Sequence, residues 1–120
     1  MAVIAQTNGA VETKAPVNLT RATLTASDTL TYTKGSNQTL LLVNPTASIV
    51  TATLTGATNT NLTPDGFGGS VSTTGGRAVA VPANGATLVG LDDIWAFLTN
   101  STGGTVTVSG GTGLYAMLYV

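Results

Sequence analysis

The sequence predicts an all-β protein, built as an antiparallel β-sandwich or barrel of eight or nine short strands. Hydroxyl and aliphatic side chains alternate through much of the chain, most clearly over residues 49–55 and 105–108. Alternation with a period of two is typical of a strand that buries one face. Turn residues recur about every ten positions, and helical periodicity never lasts longer than a turn or two, which favours a sandwich or barrel.

Nine strands follow from these alternating runs, and glycine-, proline- or asparagine-containing turns separate most of them. Their predicted spans are 19–26, 29–34, 39–44, 49–55, 78–81, 86–91, 94–99, 105–109 and 114–120. Two aspartates open the segment 92–98 and could start a helix there, but its short length favours a strand over 94–99. The segments 39–43 and 114–120 are apolar on both faces, so we expect these strands to be central or covered by another subunit.

The chain has 120 residues and a mass of 11.9 kDa, which is the size of one domain. Residues 1–16 lack sustained periodicity and end at Pro16, so we predict an extended N-terminal arm ahead of a single domain at 17–120. Residues 56–76 form a long, glycine-rich connection of the kind that often has a function. Phe67 lies among its glycines and could anchor the loop in a pocket, either of a partner or of its own domain.

The composition argues against catalysis and nucleic-acid binding. The chain has no histidine and no cysteine, and charged residues make up only 8% of it, with a net charge of −1 and a mean hydropathy of +0.34. No general base lies beside a serine in any recognisable motif, and the adjacent Asp92 and Asp93 would point to opposite faces of a strand. Four scattered basic residues cannot neutralise a row of phosphates. We therefore predict a protein that is not an enzyme and has no cofactor and no nucleic-acid partner.

Membrane insertion, export and metal binding are also disfavoured. No apolar run approaches the roughly 18 residues that a membrane helix needs. The first seven residues lack a basic region and a long apolar core, so we expect no secretory signal and synthesis inside the cell. Calcium could bind near Asp65 or Asp92, but calcium sites usually recruit more carboxylates, and solvated turn aspartates explain these residues better.

The scarcity of charge suggests an assembly. Sheet edges are normally protected by lysine, inward-pointing charges or proline, and this chain has few of them. We expect its edges and apolar faces to be covered by neighbouring copies and by the arm. The candidate interface residues are Val3, Ile4, Val11, Pro16, Phe67, Trp95, Tyr115 and Tyr119. The last three could instead stack on a sugar, although aromatic residues at alternating positions are more often core or subunit interface.

Residues 28–44, 49–56, 81–91 and 105–108, with the closing apolar strand, have a strand-and-turn rhythm that resembles small structural proteins of tailed bacteriophages. In size and style the chain is similar to the capsid decoration, or cement, proteins of jelly-roll type. This resemblance implies a jelly-roll sandwich made in the host cytoplasm and placed on the outer capsid surface of the virion. Its implied partners are the phage major capsid protein and further copies of itself, as a homodimer or homotrimer. The alternatives are another virion component, in the tail, spike or baseplate, and a carbohydrate-binding β-sandwich module.

Overall fold

Two β-sheets packed face to face make up the protein in a computed structural model, which describes residues 2–7, 19–56, 61–62, 71–72, 75–99 and 102–120. The strands are β1 (Gln6–Thr7), β2 (Ala22–Thr23), β3 (Ser27–Thr33), β4 (Thr39–Val43), β5 (Val50–Gly56), β6 (Asn61–Leu62), β7 (Val71–Ser72), β8 (Arg77–Val81), β9 (Ala86–Gly90), β10 (Gly103–Ser109) and β11 (Tyr115–Tyr119). A 3₁₀ turn at Leu91–Ile94 leads into a short helix, α1, at Trp95–Leu98. The predicted β-sandwich is confirmed.

The strand order is that of a jelly roll. In the four-stranded sheet the order is β3-β10-β5-β8, and in the five-stranded sheet β11 lies between β4 and the two short strands β1 and β2, with β9 at the far edge beyond β4. All pairs in the two sheets are antiparallel except β1 with β11. The chain changes sheet at each step from β2 to β5 and again from β8 to β11, so two Greek keys wrap around one core.

The alternation in the sequence becomes the two faces of each sheet. In β3 and β10, Leu30, Tyr32, Val106 and Val108 point inward and are buried, while the threonines between them point outward. The buried apolar side chains of both sheets form one core: Ile4, Leu24, Leu30, Tyr32, Leu40, Leu42, Ala52, Leu54, Val81, Val89, Leu91, Leu98, Val106, Val108, Leu114, Ala116 and Leu118. Their transfer out of water, at about 25 cal/mol per Å² of apolar surface, is the main term that stabilises the fold.

β4 and β11 are central strands, as their two apolar faces predict. β4 lies between β11 and β9, and β11 lies between β4 and the pair β1 and β2. Leu40 and Leu42 of β4 are buried on the inner side, and Leu41 between them points outward. The second apolar face of these strands is therefore on the outside of the five-stranded sheet.

The described part of the predicted arm, residues 2–7, is extended and lies against the chain's own sheets. Thr29 of β3 exchanges two backbone hydrogen bonds with it, from the Ile4 N–H at 2.8 Å and to the Ala2 carbonyl at 3.0 Å. Gln6 and Thr7 then pair with β11 as strand β1. Ile4 is only 2% exposed and belongs to the core. This segment joins the edges of both sheets on one side of the sandwich, which we call the closed side.

The predicted strand over 94–99 is wrong, because residues 91–98 form the 3₁₀ turn and α1. Leu91, Trp95 and Leu98 recur at helical spacing and pack on or in the core from one face. The Leu91 N–H also donates to the Gln38 carbonyl at 3.0 Å, which fixes the start of the turn. The predicted strand over 19–26 is much shorter than expected, since only Ala22–Thr23 pair as a strand and Asp28 turns the chain at Thr25.

Candidate interaction surfaces

The outer side of the five-stranded sheet carries a continuous apolar surface. Leu41, Leu88 and Met117 face one another across β9, β4 and β11, since Leu41 is registered with both of the others. The same face of β4 and β11 also carries Val43, Tyr115 and Tyr119. We call these six residues the apolar face. Directly opposed apolar pairs of this kind stabilise a sheet, and their outer surface remains open to solvent.

Leu88 is the most exposed member of the apolar face, with 62% of its surface accessible. It lies on β9, which is an edge strand, and its neighbour across the sheet is the half-buried Leu41. β9 carries no charged residue, so this edge lacks a charge that would disfavour association. Leu41, Leu88 and Met117 were not among the predicted interface residues, although the two-faced apolar pattern of β4 and β11 pointed to their sheet.

The outer side of the four-stranded sheet has a different chemistry. Hydroxyl side chains from β3, β10 and β5 cover it in cross-strand rows, for example Thr29 with Thr107 and Thr107 with Thr55. The full set is Ser27, Thr29, Thr31, Thr33, Thr51, Thr53, Thr55, Thr105, Thr107 and Ser109, with Ala78 and Ala80 at the β8 edge. We call this surface the hydroxyl face. It is polar and uncharged, so water can solvate it without ion pairs.

The structure separates the predicted interface residues into three groups. Tyr115 and Tyr119 lie on the apolar face, and Val3 is 70% exposed on the closed side. Ile4 is buried in the core, so its side chain is not available to a partner. Val11, Pro16 and Phe67 lie outside the described residues, as does Asp65.

The three aromatic residues that could stack on a sugar belong to two different places. Tyr115 and Tyr119 point outward from β11, whereas Trp95 lies on α1 and packs against the core. The Lys34 ammonium lies 3.6 Å from the centroid of the Trp95 ring, and the Arg21 guanidinium lies 4.2 Å from that of Tyr115. These cation–π contacts occupy one face of each ring. A shared stacking platform is therefore not formed by these side chains.

Asp92 holds the turn between β3 and β4. Its carboxylate accepts hydrogen bonds from the Tyr32 hydroxyl at 2.6 Å, the Gly35 N–H at 2.8 Å and the Asn37 N–H at 2.9 Å. Gly35 and Asn37 both have positive φ angles. The hydrogen bonds from their N–H groups to Asp92, which lies outside the turn, help to hold its shape. The Tyr32 bond, followed by the two backbone bonds, lowers the pKa of Asp92. Burial, and then Asp92, raises the pKa of the Tyr32 hydroxyl.

We expect Asp92→Asn to lower the free energy of unfolding at neutral pH by about 1–2 kcal/mol, since three bonds to a charged acceptor are weakened and the site is partly solvated. Because the pKa of Asp92 is lower in the folded protein, its contribution is present above the ordinary carboxyl pKa and lost as the pH falls below it. Urea unfolding between pH 7 and pH 2 should therefore show the wild-type and Asp92→Asn curves converging in acid. The exposed neighbour Asp93→Asn is the control, and equal pH curves for both variants would contradict this role.

Among the residues that the structure describes, no group of three or more acidic side chains is arranged to hold a metal ion. In the described part of the chain, no helix is long and apolar enough to cross a membrane. Asp92, the described candidate for calcium, has its carboxylate engaged by three donors of its own chain.

Comparison with known proteins identifies no relative: no protein-family model, no curated protein and no solved structure matches the chain.

Proposed function

We propose that this protein is a structural virion protein, a capsid decoration protein that binds the outside of a phage head and stabilises contacts between major capsid subunits. The observation that carries the proposal is the apolar face on a charge-poor jelly roll. The resemblance to jelly-roll cement proteins rests on stretches that form β3, β4, β5, β9, β10 and β11. The alternative role in a tail, spike or baseplate would use the same surface.

The size of the apolar face supports a contact that is repeated over a lattice. Three strands about 4.8 Å apart and about five residues of 3.4 Å each give a surface of roughly 245 Å². A stable isolated complex buries about 800 Å² on each partner. A single apolar face is therefore too small for tight binding by itself, and many such contacts on a symmetric shell would add up through multivalency.

The two outer surfaces also suit an oriented role on a shell. The apolar face would turn toward the capsid subunits, where burial of its leucines and tyrosines is favourable. The hydroxyl face would then turn toward water on the outside of the particle. Few ion pairs are available to either surface, so binding rests on apolar and backbone contacts.

We expect Leu41→Lys to lower occupancy on purified capsids at least about tenfold, because it places an unpaired charge in the centre of the buried contact and every 1.4 kcal/mol is tenfold in affinity. Thr105→Lys makes the same change on the central strand of the hydroxyl face and should leave occupancy unaltered. Cosedimentation with the particles followed by cryo-electron microscopy measures both. Loss of occupancy in both variants, or in neither, would contradict the proposed orientation.

The dependence of capsid occupancy on salt concentration is a second test of the proposed contact. Raising the salt concentration from about 0.1 M to 1 M shortens the Debye length from about 10 Å to 3 Å and would weaken a charge-driven contact. Occupancy of the wild-type protein should change less than about twofold over this range, since the side chains of the apolar face are uncharged and the neighbouring Arg21 already stacks on the Tyr115 ring. A steep loss would favour a contact through the few charged residues instead.

A carbohydrate-binding module remains the rival from another class, and Trp95 tests it. The Lys34 ammonium lies over the Trp95 ring, so a glycan would have to displace this contact before stacking. Fluorescence of Trp95, the single tryptophan of the chain, should not respond to a glycan panel.

A further inference from the structure

Opposite the closed side, the described residues leave the sandwich open. β8 is the edge strand of the four-stranded sheet and β9 that of the five-stranded sheet, and no described strand pairs with the outer side of either. A turn at residues 82–85 joins the two strands at one end, where the Gly85 N–H donates to the Pro82 carbonyl at 3.1 Å. From this turn the edges diverge into different sheets.

A cleft of about 350 Å³ lies between these two edges. Val79 and Val89 line it from the inner faces of the sheets, and Thr87 lies across it, with its hydroxyl 3.5 Å from the Ala80 carbonyl. Arg77 and Asp93 are the charged residues of the lining, and Arg77 lies at the start of β8. Between Ala78 and Gly90 the two edge strands contain no charged residue, so the usual protection against pairing is confined to Arg77 at the start of β8 and Pro82 after its end.

The closed side shows what kind of segment fits between two such edges. There, residues 2–7 run extended from the edge of one sheet to the edge of the other, and Ile4 inserts between the sheets. The segment has no charge, and its backbone pairs first with Thr29 and then with Leu118 and Tyr119. One branched apolar side chain and a few backbone bonds thus close a sandwich edge.

We propose that the cleft between β8 and β9 is an acceptor site for an extended, uncharged segment of another protein chain, which inserts one branched apolar side chain between the sheets. Main-chain hydrogen bonds to the edge strands would supply affinity, and the cleft would select the central side chain. On a capsid, the donor would be a segment of the neighbouring shell subunit.

A second copy of this protein fits the open side less well. Edge-to-edge pairing of two copies would place two clefts against each other and leave a larger unfilled gap, which loses packing contacts on every lining side chain. An inserted strand fills the gap instead. Concentration-dependent dimerisation through residues 77–81 and 86–90 is therefore an outcome that would overturn the proposal.

The cleft shares only Leu88 with the apolar face. Its test uses the isolated protein, so the acceptor site can fail while the proposed function stands, and the reverse. The probe is a capped synthetic peptide with the sequence of residues 2–7, the one segment seen to close a sandwich edge. In hydrogen–deuterium exchange, the peptide should slow amide exchange in residues 77–81 and 86–90 at least about fivefold, which corresponds to four-fifths occupancy.

Two variants fix the location. Val79→Phe fills the cleft and Val79→Lys places an inward charge on the edge strand, so each should abolish the protection by the peptide. The matched control Val3→Phe changes an exposed valine on the closed side and should leave it intact. Either Val79 variant suffices if the other does not fold, as judged by circular dichroism. Absence of protection in the wild type, protection only around Thr29 and Leu118, or protection that persists in a folded Val79 variant would overturn the proposal.

Discussion

Gly56→Ala should destabilise the protein by at least about 3 kcal/mol, a large share of the 5–15 kcal/mol by which domains of this kind are stable. Gly56 ends β5 and is buried against α1. A Cβ atom there would overlap the Leu98 carbonyl and lie 2.9 Å from the Leu98 Cα atom. The obstacle is backbone, which cannot rotate away as a side chain can, so α1 would have to move off the core.

The matched control is Gly90→Ala. A Cβ atom at Gly90 would meet only the Asp93 carboxylate, at 2.8 Å, and that exposed side chain can turn aside. This variant should lose less than about 1 kcal/mol. Urea unfolding at neutral pH gives both values, and a loss below about 1 kcal/mol in Gly56→Ala would show that α1 is not held where the structure places it.

Asp28→Ala is expected to cost about 3 kcal/mol, since it removes a buried carboxylate that accepts three hydrogen bonds. The Asp28 side chain is fully buried and accepts from the Ala2 N–H at 2.9 Å, the Thr25 N–H at 2.8 Å and the Thr25 hydroxyl at 2.8 Å. It therefore ties residues 2–7 to the turn between β2 and β3. Removing it should loosen the closed side in addition to lowering the overall stability.

Hydrogen–deuterium exchange separates these two effects. In Asp28→Ala, the amides of Ile4 and Thr29 should exchange faster than those of β10, because local opening of the N-terminal segment precedes global unfolding. Asp28→Asn should lie between the wild type and Asp28→Ala, since the amide keeps one acceptor oxygen. Ser27→Ala, an exposed position next to Asp28 on β3, is the control. Uniform acceleration over the whole chain would contradict a specific role on the closed side.

The sequence predicted the sheets better than their connections. Alternation over 50–55 and 105–108 correctly placed threonine outward and aliphatic residues inward, because this pattern depends only on the pleat of each strand. Ile49, just before β5, is exposed instead. The central positions of β4 and β11 followed from their two apolar faces. The helical segment 91–98 was missed because two turns carry little periodicity, and its shape depends on distant partners such as Gln38 and the Asp92 contact with Tyr32.

The candidate surfaces were only partly visible in the sequence for a related reason. Tyr115 and Tyr119, which lie on the apolar face, could be selected from the sequence because they alternate on one strand. Leu88 joins the apolar face because the register of β9 on β4 places it beside Leu41. Register between distant strands is not a local property, so the sequence did not predict this neighbour. Ile4 was assigned to an interface because nothing around it in the sequence indicates that a lone apolar residue fills the gap between two sheets.

The jelly-roll strand order also affects the rate at which the chain folds. β2 pairs with β11 and β3 pairs with β10, so neighbouring strands come from nearly opposite ends of the sequence. Among the described strand pairs, only β6 and β7 are consecutive along the chain. Distant pairings must bear the entropy of closing long loops before they gain contacts, and proteins of this kind fold in milliseconds to seconds. We therefore expect the meeting of the two chain ends, and not formation of individual strands, to be the slow event in folding.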